Sequence, residues 1–382
     1  MSLTLEDWVS RLKDKPLPAM ALTVQRVTQL IDSPNTTNAD YQRVISRDPG
    51  FTLSIFRAFG NNKRAPKEAP SNLAHAIALL GVGPVIDSTQ KLPILKKVLK
   101  GAARQGLYGS YSRAAHAAGY AYRWGHDRKD NNPEEMAIAA LLHDCGEMAL
   151  WAYAKEEMKK VMLLVSRRQS RDVAAKKVFG FAIEELSHTL TEEWRLPQLT
   201  QDALHPYGAF HPRSLGVMLA GELARESEKD WFSPATADLI ELVSEHHRIS
   251  TNEAIAYVHR QAVDTAHDIY GLPLPANAPL LLQIPAPTTP QEPASAPKSK
   301  QQAAPKKASQ PRKQAKAAPK SVEQTKPVEQ PKPITAKQVK PKVEQPKQPQ
   351  PIKQTKPKPE PVEQVTRKPE PTEPPKQAKP AP

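Results

Sequence analysis

His143 and Asp144 are the adjacent side chains in this sequence best suited to hold a metal or move a proton. They stand side by side between two apolar runs, within Glu134 to Trp151 (EEMAIAALLHDCGEMALW). A carboxylate can anchor or bridge divalent metals while histidines complete the shell, and a bound water then becomes a nucleophile for hydrolysis. A catalytic metal needs three or more protein ligands, and one His-Asp pair supplies two. The remaining ligands would have to come from other helices. Upstream stand Ser112 and His116, one turn apart; downstream stand His188, His205 and His211, none with an i,i+4 partner. The competing reading is a polar pair satisfied at a helix end without an ion.

Around the pair the sequence reads as helices. Ala137, Ala140 and Leu141 recur at i, i+3 and i+4 and lead a buried helix into the pair, with Pro133 at its favourable first position. Gly146 is expected to break the chain before a second apolar helix begins near Glu147. Towards the N-terminus, Thr4 with Asp7 and Thr37 with Asp40 have capping spacing, and Asp48-Pro49 should start another helix. Further helices are expected at 21–31, from a Ser71 cap to Leu80, at 84–99, and at 108–124, where Ala114, Ala115, Ala117, Ala118 and Gly119 imply close packing. Spans 172–179, 183–193, 214–227, 234–246 and 251–270 complete the pattern. Alternating β-branched runs are almost absent, so the fold class is all-α.

Composition divides the 382 residues sharply. Residues 285–382 hold 24 of the 40 prolines and 21 Lys or Arg against 8 Glu, with no Trp, Phe, Tyr, Leu or Cys. Such a Lys/Pro/Gln-rich tail has too little apolar surface to offset ordering entropy, which predicts disorder. The body keeps 33 basic and 32 acidic residues, so the net charge of +14 does not mark the folded part as nucleic-acid-binding. The single cysteine, Cys145, excludes an intrachain disulfide framework and fits a reducing compartment. No early apolar run resembles a signal peptide and no stretch is long enough for a membrane span, which together predict a cytoplasmic protein with no membrane partner.

Other candidates carry less. Cys145 beside His143 reads as a buried structural thiol rather than a redox centre, because adjacent helical residues do not face each other. His246-His247 reads as a solvated helix end, and Lys63-Arg64 with Lys67 as a solvated loop. The tail could bind nucleic acid through counterion release, though it lacks aromatics for base stacking.

Taken in order, Leu17-Pro18, Asp48-Pro49, the Gly60-Asn61 turn, Ala76-Ile77 with Leu80-Gly81, Ser112, Leu141-Leu142-His143-Asp144 with Gly146, and Trp194 with Leu196-Pro197 resemble the HDOD domain. This is the HD-related output domain of bacterial signalling proteins. The resemblance implies an all-helical fold related to HD phosphohydrolases, generally without their full ligand set and used in regulation. On that alignment the other histidines of an HD site fall at Ser112, Ile183 and near Tyr207-Gly208, which leaves His143 and Asp144 as a vestigial pair. The organisation expected is an N-terminal helix at 1–14, an HDOD-like domain at 15–210, a helical extension packed on it at 211–284, and the tail at 285–382. The function expected is non-enzymatic: binding of a partner protein or small signalling ligand, with no catalytic residue, cofactor or metal, and nucleic-acid contact through the tail as a further possibility. The alternative is a metal-dependent phosphohydrolase or phosphodiesterase.

Overall fold

A computed structural model of the chain describes residues 3–64, 66 and 70–282. The expectations for residues 285–382 and for Lys67 lie outside the described residues. Among those described there is no strand, and the fold is all-α.

Helix α1 (Leu5–Leu12) opens with the capping box expected at Thr4: Thr4 Oγ1 accepts from the Asp7 amide at 3.3 Å, and Asp7 accepts from the Thr4 amide at 3.0 Å. It buries Trp8, Val9 and Leu12, and Trp8 meets Phe179 edge to face with ring centroids 5.4 Å apart. Helices α2 (Ala21–Ile31), α3 (Asn38–Ile45) and α4 (Pro49–Asn61) follow, α3 with a second capping box from Thr37 and Asp40. Asp48 caps α4 by accepting from the Phe51 amide at 3.1 Å, and also accepts from the Met20 amide at 2.7 Å. One buried carboxylate thus ties the starts of α2 and α4 together, and burial pushes it up to about 6.

Two expectations need correction in the next stretch. Helix α5 (Leu73–Leu80) is capped by Asn72, not Ser71: Asn72 is extended, and its Oδ1 accepts from the His75 amide at 2.8 Å. The single helix expected over 84–99 is two, α6 (Gly83–Lys91) and α7 (Leu95–Val98). Pro93 forces its predecessor Leu92 into an extended conformation. A short parallel bridge then pins the link, with the Ala19 amide donating to Pro93 O at 2.8 Å and the Leu95 amide to Ala19 O at 2.9 Å.

Helix α8 (Gly101–Asp127), about 40 Å long at 1.5 Å per residue, and α9 (Pro133–Leu142) form a central wall. Small residues on α8 permit the close packing expected: a side chain at Gly106 would strike Trp151, and one at Gly119 would strike Thr265. One hydrophobic cluster joins α1–α7 with α10 (Cys145–Tyr153), α11 (Lys155–Ser166), α12 (Arg171–Phe179) and α13 (Ile183–Glu193) around Phe51, Phe56, Tyr111 and Leu141. A second joins α14 (Gln198–Asp202), α15 (Pro212–Ser227), α16 (Pro234–His247) and α17 (Thr251–Asp268) around Tyr120, Trp124, Val217 and Val258. Both draw on α8 and α9. The His246-His247 pair is not a solvated end: His246 is buried and His247 half-buried, both rings lying against Trp124 at 6.4 and 5.5 Å between centroids. Among the described residues no helix is long and apolar enough to cross a membrane.

Candidate functional site

His143 closes α9 and Asp144 opens α10, so the pair sits in the elbow between two helices of the central packing, buried on both sides. The elbow is made at Asp144, whose ψ of 26° leaves the helical range. Gly146, expected to be the break, instead lies inside the first turn of α10. Its role is close approach to α13. The Gly146 amide donates to Ser187 Oγ at 3.1 Å, and a Cβ there would fall 2.7 Å from the same oxygen.

The chemistry of the elbow is dominated by guanidinium groups. Arg225 of α15 donates from Nη2 to Asp144 Oδ1 at 2.7 Å. Burial alone would raise the Asp144 carboxyl, but Arg225, the neighbouring His143 ring and Arg171 together outweigh it and hold the group well below the usual carboxylate range. One turn on, buried Glu147 accepts from Arg113 Nη2 at 2.7 Å, from Arg171 Nη2, and from Trp151 Nε1 at 3.1 Å. Burial opposes ionisation there too, yet Arg113 and Arg171 pull the carboxyl down to about 2. Arg113 also reaches Glu228 at 2.7 Å, and Arg225 reaches Glu184 at 3.5 Å. The result is a buried lattice of three arginines and several carboxylates that joins α8, α10, α12, α13 and α15.

His143 is turned another way. Its Nε2 lies 3.3 Å from Ala203 O; a carbonyl can only accept, so Nε2 carries the proton. Its Nδ1 is 3.8 Å from Asp144 Oδ1, too far for a hydrogen bond, and packs near Gly221 of α15.

The other positions considered for metal ligands do not converge on the pair. Ser112 Oγ donates to Pro275 O, and His116 Nε2 accepts from the Asn277 amide at 3.4 Å. The segment after α17 therefore straps across that face of α8. It is held there by Asn277 Nδ2 on Ser227 Oγ at 2.7 Å and by Trp231 Nε1 on Asn277 O at 3.0 Å. Burial and the charge of Arg123 push His116 down to about 4, so it stays neutral. Ile183 starts α13 and borders the elbow, with its carbonyl against Gly146. Tyr207 is exposed beside His205, which meets His188 edge to face at 5.5 Å, while His211 is exposed ahead of α15. Cys145 is fully buried, with Sγ 3.7 Å from Ser187 O, and burial pushes its thiol up.

The donor set does not fit a hydrolytic metal. The carboxylate that would bind it is committed to a guanidinium, and among the described residues no group of three or more His, Cys, Asp or Glu side chains converges to hold an ion. The residues that define the site, Arg113, Glu147, Arg171 and Arg225, were not candidates on sequence. Glu147, one turn after His143, carried a local signal; the arginines carried none, since each meets its partner only in the folded chain.

Comparison with known proteins agrees with this architecture. Residues 17–207 match the HDOD domain family. Among solved structures, a virulence factor from Campylobacter jejuni is similar with a TM-score of 0.54 at 13% identity, over 73% of this chain and 98% of that one. The MmoQ response regulator from Methylococcus capsulatus is similar at 19% identity over 64% of this chain and 98% of its own, with a TM-score of 0.49. An HDOD domain protein of unknown function from Geobacter sulfurreducens is similar at 17% identity over 72% and 91%, with a TM-score of 0.37. No curated protein matches the sequence. At 13% identity the likeness to the Campylobacter jejuni protein speaks to fold alone, and the segment that matches the family spans half of the sequence: the chain belongs to the HDOD domain family.

Proposed function

We propose that this protein is a non-enzymatic regulatory module of bacterial signal transduction, which acts in the cytoplasm by binding a partner protein or a small signalling ligand. The observation that carries this reading is the Asp144–Arg225 contact: a hydrolase needs that carboxylate for a cation, and here a guanidinium holds it at 2.7 Å. In this reading residues 15–210 are the HDOD module, 211–284 an extension packed on it, and 285–382 a Lys/Pro-rich tail that adds diffuse electrostatic contact. The test is metal analysis of the purified full-length chain together with assays on phosphomonoester and phosphodiester substrates. The expected result is no stoichiometric Mn, Fe or Mg and no hydrolysis. Stoichiometric metal with activity lost in His143→Ala and Asp144→Ala would restore the phosphohydrolase reading instead. Nucleic-acid contact through the tail predicts affinity that falls steeply with salt and disappears on truncation at Pro285.

A further inference from the structure

A cavity of about 470 Å³ lies between α3, α5, α8, α9 and α17. That volume is typical of sites that enclose a small organic molecule. The floor is small and apolar: Ala115, Ala118 and Gly119 of α8, with Ala137 and Ile138 of α9.

The polar side of the cavity is cationic. Arg43 lies in the last turn of α3 and Arg47 in the turn that follows it, and Arg123 projects from α8; against these three guanidinium groups the lining has two carboxylates, Glu134 and Asp268. Arg123 is used internally, with Nε 3.8 Å from Asp264, Nη2 3.1 Å from Asp268, and Nη1 3.2 Å from both Thr265 Oγ1 and Gly119 O. Arg43 gives only Nη1, to Asp40 at 3.1 Å, and Arg47 gives only Nη2, to Asp268 at 3.4 Å. Their remaining N–H groups have no protein partner among the described residues. Two arginines with donors to spare, four residues apart and above an apolar floor, match an anionic head group with two or more acceptor oxygens attached to a flat apolar body. Asp40 and Asp264, just outside the lining, pair with Arg43 and Arg123, so the attraction for an anion comes from the spare donors of Arg43 and Arg47 and not from net charge.

We propose that this cavity is a binding site for a small organic anion, with its flat body on Ala115, Ala118 and Gly119 and its carboxylate, sulfonate or phosphate-ester head on Arg43 and Arg47. The proposal rests on the reading of the protein as a binding module, and gives that reading a place and a ligand class. Because the walls come from an N-terminal helix, the central wall and α17, an occupant bridges the family-matched segment and the C-terminal helices.

The test is a fluorescence titration of the full-length chain with 8-anilinonaphthalene-1-sulfonate, a flat aromatic monoanion, beside its neutral counterpart N-phenyl-1-naphthylamine. The sulfonate is expected to bind at a single site, and the neutral compound about tenfold more weakly or worse, since one lost charge-assisted contact is on the order of a factor of ten. The double variant Arg43→Gln/Arg47→Gln should weaken the sulfonate by a similar factor. Ala118→Phe should abolish binding by filling the floor, while Phe210→Ser, at an 85% exposed residue on a distant turn, should leave it unchanged. Ala118→Phe could also impair folding, so the arginine variant, on partly exposed side chains, is the decisive one. Sulfonate binding that ignores the arginines, or that is lost in Phe210→Ser, overturns the site whatever the metal analysis finds. Metal-dependent hydrolysis overturns the proposed function and leaves the titration standing.

Discussion

Arg225 Nη2 lies 2.7 Å from Asp144 Oδ1, so a helix beyond the family-matched segment neutralises the aspartate of the His-Asp pair. Breaking a buried ion pair from one side leaves a charge without compensation, which typically costs about 3–5 kcal/mol. Arg225→Met should therefore lower unfolding free energy by roughly that amount in urea titrations, and adding Asp144→Asn should recover part of it. A double variant no more stable than Arg225→Met alone would show that the contact carries no such coupling.

Stability should depend on pH through groups with opposite signs. His116 is pushed from an ordinary 6.5 to about 4, so the unfolded chain takes up its proton first. That contribution is present above 6.5 and is lost as pH falls towards 4. Asp48 is raised from 3.8 to about 6, so its contribution is full below 3.8 and is lost as pH rises through 6, by roughly 3 kcal/mol in all. Burial pushes His246 and His247 down to about 4 as well, so between pH 4 and 6 Asp48 offsets part of a loss that all three histidines contribute to. Asp48→Asn should unmask the histidines, making stability fall more steeply on acidification over that window. An unchanged slope of unfolding free energy against pH, measured in urea at half-unit steps, would rule this out. Below 4.5, Glu147 adds a further loss as pH drops towards its folded value of about 2.

Gly146→Ala should destabilise by about 1–3 kcal/mol, because the new carbon would fall 2.7 and 2.8 Å from the Ser187 hydroxyl and amide, forcing α10 and α13 apart. Gly109→Ala is the control. At the same kind of helix-interior position its Cβ meets nothing closer than 3.5 Å, so helix propensity should stabilise it by about 0.5–1 kcal/mol. Thermal melts showing both changes in the same direction would contradict the packing described here.

Truncation after residue 210 should not leave a cooperatively folded piece. It removes Val217, Leu223, Val243 and Val258 from around Tyr120 and Trp124, and deprives Asp144 of Arg225. The expected product binds apolar dyes and lacks a sharp thermal transition; a sharp transition with a native near-ultraviolet spectrum would mark residues 15–210 as autonomous.

How much of this was legible in the sequence follows the range of the interactions involved. The Thr4/Asp7 and Thr37/Asp40 boxes are contacts three residues apart, and they form where their spacing places them. Ser71 and Asn72 are equally good caps by type, and the choice between them turns on which backbone is extended. At Gly146 the sequence does not separate a chain break from a close helix approach, since both demand a residue without a side chain. The arginine lattice was invisible because Arg113, Arg171 and Arg225 lie 34, 24 and 81 residues from the carboxylates they hold. Arg225 also has Glu222 three residues before it, and on a helix such a pair reads as a solvated surface contact. The expectation that Ser112 and Ile183 stand at ligand positions comes from the resemblance to a family alone.

The edge-to-face contact of Trp8 with Phe179 has a consequence in time. The two rings are separated by most of the family-matched segment, and chain synthesis proceeds at roughly 5–20 residues per second. The apolar face of α1 therefore leaves the ribosome roughly ten to thirty seconds before its docking surface exists. For that interval Trp8, Val9 and Leu12 have nothing of their own to cover them, so the first helix made is among the last that can be finished.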